Sequence, residues 1–256
     1  MYYERHGRVD PNAPRVLCLH GLGSSATDWT EQIPAFGPRS RMLLVDLPGH
    51  YRSALPPGRL TVEGMAGDVE RLLDHLGEPS LHVIGISLGA CIALALALRA
   101  PTRVSSLTLI NGFAKLRPSS PEAALRMAIR LVLLATAPMT TVAALVARGM
   151  FPKPEQAHLY RAAVASLSRT SRRAYLASIV ALAAFDARED LARVGCPTLV
   201  VAGEHDATVA LEAKQEIVRG IAGARLVVVP DSGHATHYDQ PEIFNRVALE
   251  FIESHA

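Results

Sequence analysis

Residues 81–99, LHVIGISLGACIALALALR, decide the fold. LHVIGI is an almost unbroken apolar run, which fits a strand covered on both faces of a parallel sheet. From Leu88 to Arg99 hydrophobes surround the axis, which predicts a central buried helix. Between the two lies Gly85-Ile86-Ser87-Leu88-Gly89. A G-x-S-x-G between a strand and a helix predicts a nucleophile elbow. The turn is so tight that only small residues fit beside Ser87. Its hydroxyl then projects from the carboxyl end of the sheet at a helix N-terminus, where developing negative charge is favoured.

The surrounding chain repeats the strand–helix alternation. Further strands are predicted at residues 15–20 (RVLCLH), 41–47 (RMLLVDL), 104–110 (VSSLTLI), 198–202 (TLVVA) and 224–229 (ARLVVV). Thr61 is placed to cap a helix with Val62, Met65, Val69, Leu72, Leu73 and Leu76 on its apolar face, and Gly77 ends it. Pro241 suits the first turn of a last helix bearing Phe244, Ala248, Phe251 and Ile252. Such alternation predicts an α/β, mostly parallel, doubly wound sheet. It breaks over residues 113–191, which are Ala-rich with prolines at 118, 121, 138, 152 and 154. That stretch reads as a helical cap inserted between two strands, leaving residues 1–112 and 192–256 as the core.

Serine is a weak nucleophile without a base. His234, in Pro230-Asp231-Ser232-Gly233-His234, follows the last strand and so lies at the same sheet edge as Ser87. His237 competes, but it sits closer to the last helix and reads as a structural or pocket residue. The orienting acid is expected in Gly203-Glu204-His205-Asp206, where Asp206 is preferred over Glu204. The slot after the strand at 104–110 holds Asn111, which cannot carry the charge. The order Ser87, Asp206, His234 is the one the elbow motif calls for. An oxyanion hole needs backbone N–H donors. Leu88, just after the nucleophile, is one. Leu22, in the glycine-rich loop His20-Gly21-Leu22-Gly23 after RVLCLH, is the other, with His20 organising the loop. Gly21, Trp29, Phe113 and His237 are candidate pocket residues, Trp29 reading first as packing under the oxyanion loop. Arg117, Arg126, Arg130 and Arg148 are weighed as ligands for a substrate carboxylate.

Composition removes other classes. Of 256 residues 49% are hydrophobic and 20% charged, which is globular and not disordered. Lys+Arg 26 against Asp+Glu 24 gives +2, so no nucleic-acid partner is implied. No apolar run approaches the ~20 residues that span a bilayer, and the first residues lack a signal-peptide pattern. Three cysteines make a disulfide framework unneeded, so a cytoplasmic location is expected. Neither a metal nor a cofactor is called for, since no Cys/His spacing suggests zinc. Gly21-Leu22-Gly23-Ser24-Ser25-Ala26 with Asp46 imitates a dinucleotide fingerprint. However, Thr27-Asp28-Trp29-Thr30 is a poor start for the helix that fingerprint requires.

The segments LHGLGSSATDW, DLPGH, GISLGA, GEHDATV and PDSGH, in this order, resemble the α/β-hydrolase superfamily. More narrowly they are similar to its cap-bearing esterases, enol-lactonases and carbon–carbon hydrolases. The resemblance implies the α/β-hydrolase fold, Ser87 as nucleophile, Asp206 as acid, His234 as base, and Leu22 and Leu88 as oxyanion donors. One departure is Tyr51, where the family carries little bulk after DLPGH. The expectation is a carboxylesterase-like serine hydrolase acting on a small to medium apolar ester. A carbon–carbon hydrolase or enol-lactonase with the same triad is the alternative, and a non-catalytic binding module or a dinucleotide-binding protein the more distant ones.

Overall fold

The computed structural model of the chain describes residues 1–118 and 120–256. Ser119, inside the expected insert, lies outside the described residues. Seven strands form one sheet: β1 (Tyr3–Gly7), β2 (Arg15–Leu19), β3 (Arg41–Val45), β4 (Leu81–Ile86), β5 (Val104–Ile110), β6 (Thr198–Gly203) and β7 (Arg225–Val229). Their spatial order is β1-β3-β2-β4-β5-β6-β7. Every neighbouring pair is parallel except β1 with β3. The parallel registers bring Leu19 beside Gly85, Ile86 beside Ile110, and Gly203 beside Val229. The carboxyl ends of β2, β4, β5, β6 and β7 therefore share one edge.

The helices are α1 (Ile33–Phe36), α2 (Val62–Leu76), α3 (Leu88–Arg99), α4 (Pro121–Thr136), α5 (Met139–Met150), α6 (Ala157–Leu167), α7 (Arg172–Ala184), α8 (Leu211–Gly220), α9 (Thr236–Asp239) and α10 (Pro241–Glu253). Side chains alternate across a strand, so each central strand feeds two cores. Leu17 and Leu19 of β2 pack with α2 and α3, while Val16 and Cys18 pack against Trp29, Phe36 and α10. Apolar demand on both faces is why these strands read as continuous hydrophobic runs. α3 is buried on all sides from Leu88 to Ala97.

Local signals act as the sequence reading expects. The Thr61 hydroxyl accepts from Gly64 N at 2.9 Å, and Gly77 closes α2 at φ 66°. Pro241 opens α10. β1 is the strand the sequence reading does not find. YERHG is half exposed and pairs on one side only, so it carries no apolar run to announce it.

Helices α4–α7 are inserted between β5 and β6 and hold a small core of their own, with Leu134, Val142, Leu167, Tyr175 and Ile179. Prolines stand at the starts of α4 and α5. The α6–α7 break has none, and there Ser171 caps α7 by accepting from Ala174 N at 3.2 Å. The insert is rooted at both ends in the main core, through Phe113 and Ala114 on entry and Phe185, Ala187 and Leu191 on exit. No helix among the described residues is long and apolar enough to cross a membrane.

Among the described residues, four that are not glycine have left-handed backbones: Tyr51 (φ 42°), Ser87 (φ 52°), Asn111 (φ 47°) and Asp231 (φ 57°). Each stands in a connection that leaves the carboxyl end of a strand.

Candidate active site

The sharp reversal from β4 into α3 places Ser87 at φ 52°, ψ −110°. Such a conformation persists only where surroundings enforce it. Here two glycines allow it. A methyl on Gly85 would fall on the Gly89 carbonyl, and one on Gly89 would fall on the Leu19 carbonyl. Ser87 N donates to Ile110 O at 3.0 Å, which ties the turn to β5.

The glycine-rich loop after β2 lies alongside. Gly21 approaches Ser87 so closely that a Cβ on it would sit 3.9 Å from the Ser87 Cβ. His20 braces this loop. Its Nε2 accepts from Leu47 N at 2.9 Å, which leaves Nδ1–H to donate to Gly21 O at 2.7 Å. Burial and the neighbouring His50 push its pKa down to about 3, so it is a neutral strut. Asp46, the acid of the dinucleotide-like pattern, accepts from Ala26 N at 2.8 Å and pairs with Arg52 at 2.7 Å. Leu88, as the first residue of α3, has an amide with no partner inside the helix.

The candidate acid and base, Asp206 and His234, meet at the ends of β6 and β7. His234 Nδ1 lies 3.0 Å from both Asp206 oxygens. Asp206 Oδ1 also accepts from Thr208 N at 2.8 Å and Val209 N at 3.1 Å, and Oδ2 from Lys214 Nζ at 2.7 Å. Burial opposes the charge on Asp206, yet His234 and Lys214 hold its carboxyl well below the usual range. Glu204, the other acid weighed, is half exposed and accepts from Asp231 N instead.

Asn111 is a residue whose role sequence reasoning misses. Its Nδ2 donates to His234 O at 2.7 Å and to Thr236 Oγ1 at 2.9 Å, while its Oδ1 accepts from Gly203 N at 2.9 Å. It thus joins the end of β6 to the backbone of the His234 loop. Lys214 is the second such residue. The available signal is its place on the apolar stripe of α8 with Ile217, where a lysine is out of pattern.

Ser87 and His234 line one cavity of about 510 Å³, together with Gly21, Leu22, Phe113 and His237. Among the described residues no hydrogen bond joins Ser87 to His234. The cap supplies apolar wall, including Met127, Val146, Met150 and Leu159. Of the four arginines weighed, Arg126 and Arg130 line the cavity and Arg117 and Arg148 do not.

Trp29 corrects one expectation. It is fully buried, does not line the cavity, and packs against the His237 ring at 4.9 Å. His237 is itself buried, and desolvation pushes its pKa down to about 3, which suits a wall residue and not a base. Tyr51 is 43% exposed, with the Arg52 and Arg169 guanidinium groups 4.8 and 4.9 Å from its ring centre. Its left-handed backbone gives a physical reason for a small residue in that slot. The dinucleotide reading fails on local structure. The stretch it needs as a helix is one 3₁₀ turn, Ala26–Trp29.

A family model described as alpha/beta hydrolase fold matches residues 14–241. The chain is 32% identical to "Putative carbamate hydrolase RutD" of Stutzerimonas stutzeri over 262 residues, covering 98% of this chain and 96% of that protein. It superimposes on an enol-lactonase from Burkholderia xenovorans LB400 with a TM-score of 0.90 at 27% identity, covering 98% and 96% of the two chains. A thermophilic esterase from Thermogutta terrifontis gives 0.84 at 27% identity, covering 100% and 94%.

Proposed function

Because this chain belongs to the α/β-hydrolase family, we propose that it is a serine hydrolase that opens a carboxylic ester through an acyl-enzyme on Ser87. One observation carries the reading. A serine on a strained elbow opens into the same cavity as a histidine whose Nδ1 is held by a buried carboxylate. In this scheme Nδ1–H donates to Asp206, so Nε2 is the free base. It takes the Ser87 proton as Oγ attacks the carbonyl carbon. The N–H groups of Leu22 and Leu88 hold the oxyanion. Collapse returns the proton from His234 to the departing alkoxide. Water, deprotonated by the same imidazole, then adds to the acyl carbon and releases the acid and free Ser87.

The substrate reading follows the walls. A chamber of about 510 Å³ lined by Leu, Met, Val and Ala side chains suits a small to medium apolar acyl or alcohol group. We take residues 113–191 as its lid and residues 1–112 and 192–256 as the core that carries the chemistry.

A second reading keeps the same residues and changes the bond. The curated relatives are named for carbamate hydrolysis and one structural neighbour for enol-lactone hydrolysis. Both substrates present a carbonyl to the same nucleophile. Turnover of short p-nitrophenyl esters, an alkyl carbamate and an unsaturated lactone, measured side by side, separates these readings. In all of them Ser87→Ala should lower kcat by ~10⁴-fold or more, and a fluorophosphonate should label the parent protein and not the variant. Wild-type turnover by Ser87→Ala would sink the proposal.

A further inference from the structure

The Asp206 carboxylate accepts from two side chains, His234 and Lys214, and the second has no obvious reason to be there. Lys214 and Asp206 have side chains only 1% exposed, with Nζ 2.7 Å from Oδ2 and 2.9 Å from Val209 O. A buried ammonium is expensive to desolvate, even when paired. The position lies on a helix face whose other buried member is Ile217, so an apolar side chain would suit the packing. Nor does the acid need Lys214 to hold its place. Without it, Asp206 keeps the Thr208 and Val209 amides and the His234 ring. Beyond its hydrogen bonds to Asp206 and Val209 O, what Lys214 brings is positive charge.

Building on the hydrolase reading above, we propose that Lys214 is a positioning residue that shares the Asp206 carboxylate with His234, so that the base faces a partly neutralised acid and stays free of its proton to lower pH. A carboxylate stabilises an adjoining imidazolium, and a cation on the far side of that carboxylate weakens the effect. The acid still fixes the ring tautomer while attracting the proton less. Burial draws the Lys214 ammonium below the ordinary lysine range, and the facing Asp206 opposes that loss.

The other ionisable groups around the pair leave this balance in place. Glu212, in the first turn of α8, acts on Lys214 from the solvent side. Glu204 and His205, beside the acid, are half exposed or more. β6 carries no ionisable side chain, and Arg225 of β7 is exposed. From α9, His237 is held neutral by burial, and the Asp239 carboxyl is raised by burial while it accepts from Gly233 N and Ser232 Oγ. Asp28, whose carboxyl burial pushes up to about 7, and Arg126 and Arg130 face the cavity side.

Three variants test the proposal: Lys214→Gln keeps a donor without charge, Lys214→Met removes both, and Lys214→Arg keeps the charge. The readouts are the acid limb of kcat/KM against pH on a p-nitrophenyl ester, and an NMR titration of the His234 ring, which needs no substrate. Lys214→Gln and Lys214→Met should move the limb and the ring titration to higher pH by about one unit. Lys214→Arg should leave both where the parent has them. If Lys214→Met does not fold, the glutamine variant and the ring titration decide alone. An unmoved limb with activity lowered evenly at every pH means that the lysine only braces a loop, and overturns the proposal. So does a shift confined to Lys214→Met, which would make the donor and not the charge the cause. Failure of the hydrolase reading looks different: the parent protein would be silent to fluorophosphonate and to every ester, while the ring titration would still report on Lys214.

Discussion

At the scale of single residues, Asn111 shows why an acid is absent from the end of β5. The groups opposite its side chain are the carbonyls of Gly233 and His234, the Thr236 hydroxyl and the Gly203 amide. A carboxylate could accept from the amide but would meet the two carbonyls oxygen to oxygen. The slot needs a side chain that both donates and accepts, and an amide does so. Asn111→Asp should therefore lower stability and ester turnover together, and Asn111→Ala should cost about 1–3 kcal/mol, because buried partners lose their bonds. Thermal unfolding and kcat/KM on the same samples check this, and an aspartate variant as active and stable as the parent would contradict it. The carboxylate, imidazole and hydroxyl proposed for catalysis were legible because each follows an apolar strand within a few residues. Asn111 and Lys214 were not. Asn111 takes its meaning from a partner 123 residues away along the chain, and Lys214 shows only as a lysine out of pattern on an apolar stripe, with nothing local to name Asp206 as its partner. Trp29 has two sequence readings, packing beneath the glycine-rich loop or lining the pocket, and the structure favours packing: its ring turns under the sheet into the core with Phe36 and α10.

At the scale of elements, the elbow is the joint on which β2, β4 and α3 depend. A Cβ on Gly89 meets backbone carbonyls of Leu19 and His20, and backbone does not yield as a side-chain tip would. Gly89→Ala should therefore push β2 away from α3 and lower the unfolding temperature, by an amount matching about 1–3 kcal/mol or more of overpacking. A variant that unfolds at the parental temperature would show that the joint is looser than its contacts imply. Strands covered on both faces and the capped α2 were readable because their local chemistry agrees with their final surroundings. The edge strand β1 was not, since its stability comes from backbone pairing with β3 and not from its own side chains. The cap's helices were foreseeable from prolines, but the break before α7 depends on a Ser171 cap that resembles any serine in a loop.

At the scale of the whole molecule, four histidines are folded in as neutral groups. Burial pushes the pKa of His20 and His237 down to about 3, and of His50 and His82 down to about 4. In the unfolded chain each titrates near ~6.5. Below that value the unfolded state takes up protons that the folded state refuses, so stability falls as pH falls. Each histidine contributes at most about 1.4 kcal/mol per pH unit in that window. Two partly buried carboxyls work the other way. Asp28, pushed up to about 7, and Asp239, also raised, keep protons that the unfolded chain would release. Four groups outweigh two, and the unfolding temperature should drop steadily from pH 6.5 toward pH 4.5. A flat profile by calorimetry over that range would mean that the histidines are not sealed as described.

The four left-handed residues at the sheet's carboxyl edge carry a wider consequence. Each such backbone is held against its own preference by about 1–3 kcal/mol, all four follow the carboxyl ends of strands, and one of them, Ser87, opens into the cavity. The protein is thus built like a drawn bow at one rim and a relaxed block elsewhere. Efforts to harden it against heat have free rein on the far side of the sheet, whereas comfort restored at the rim would slacken the posture in which Ser87 faces the cavity.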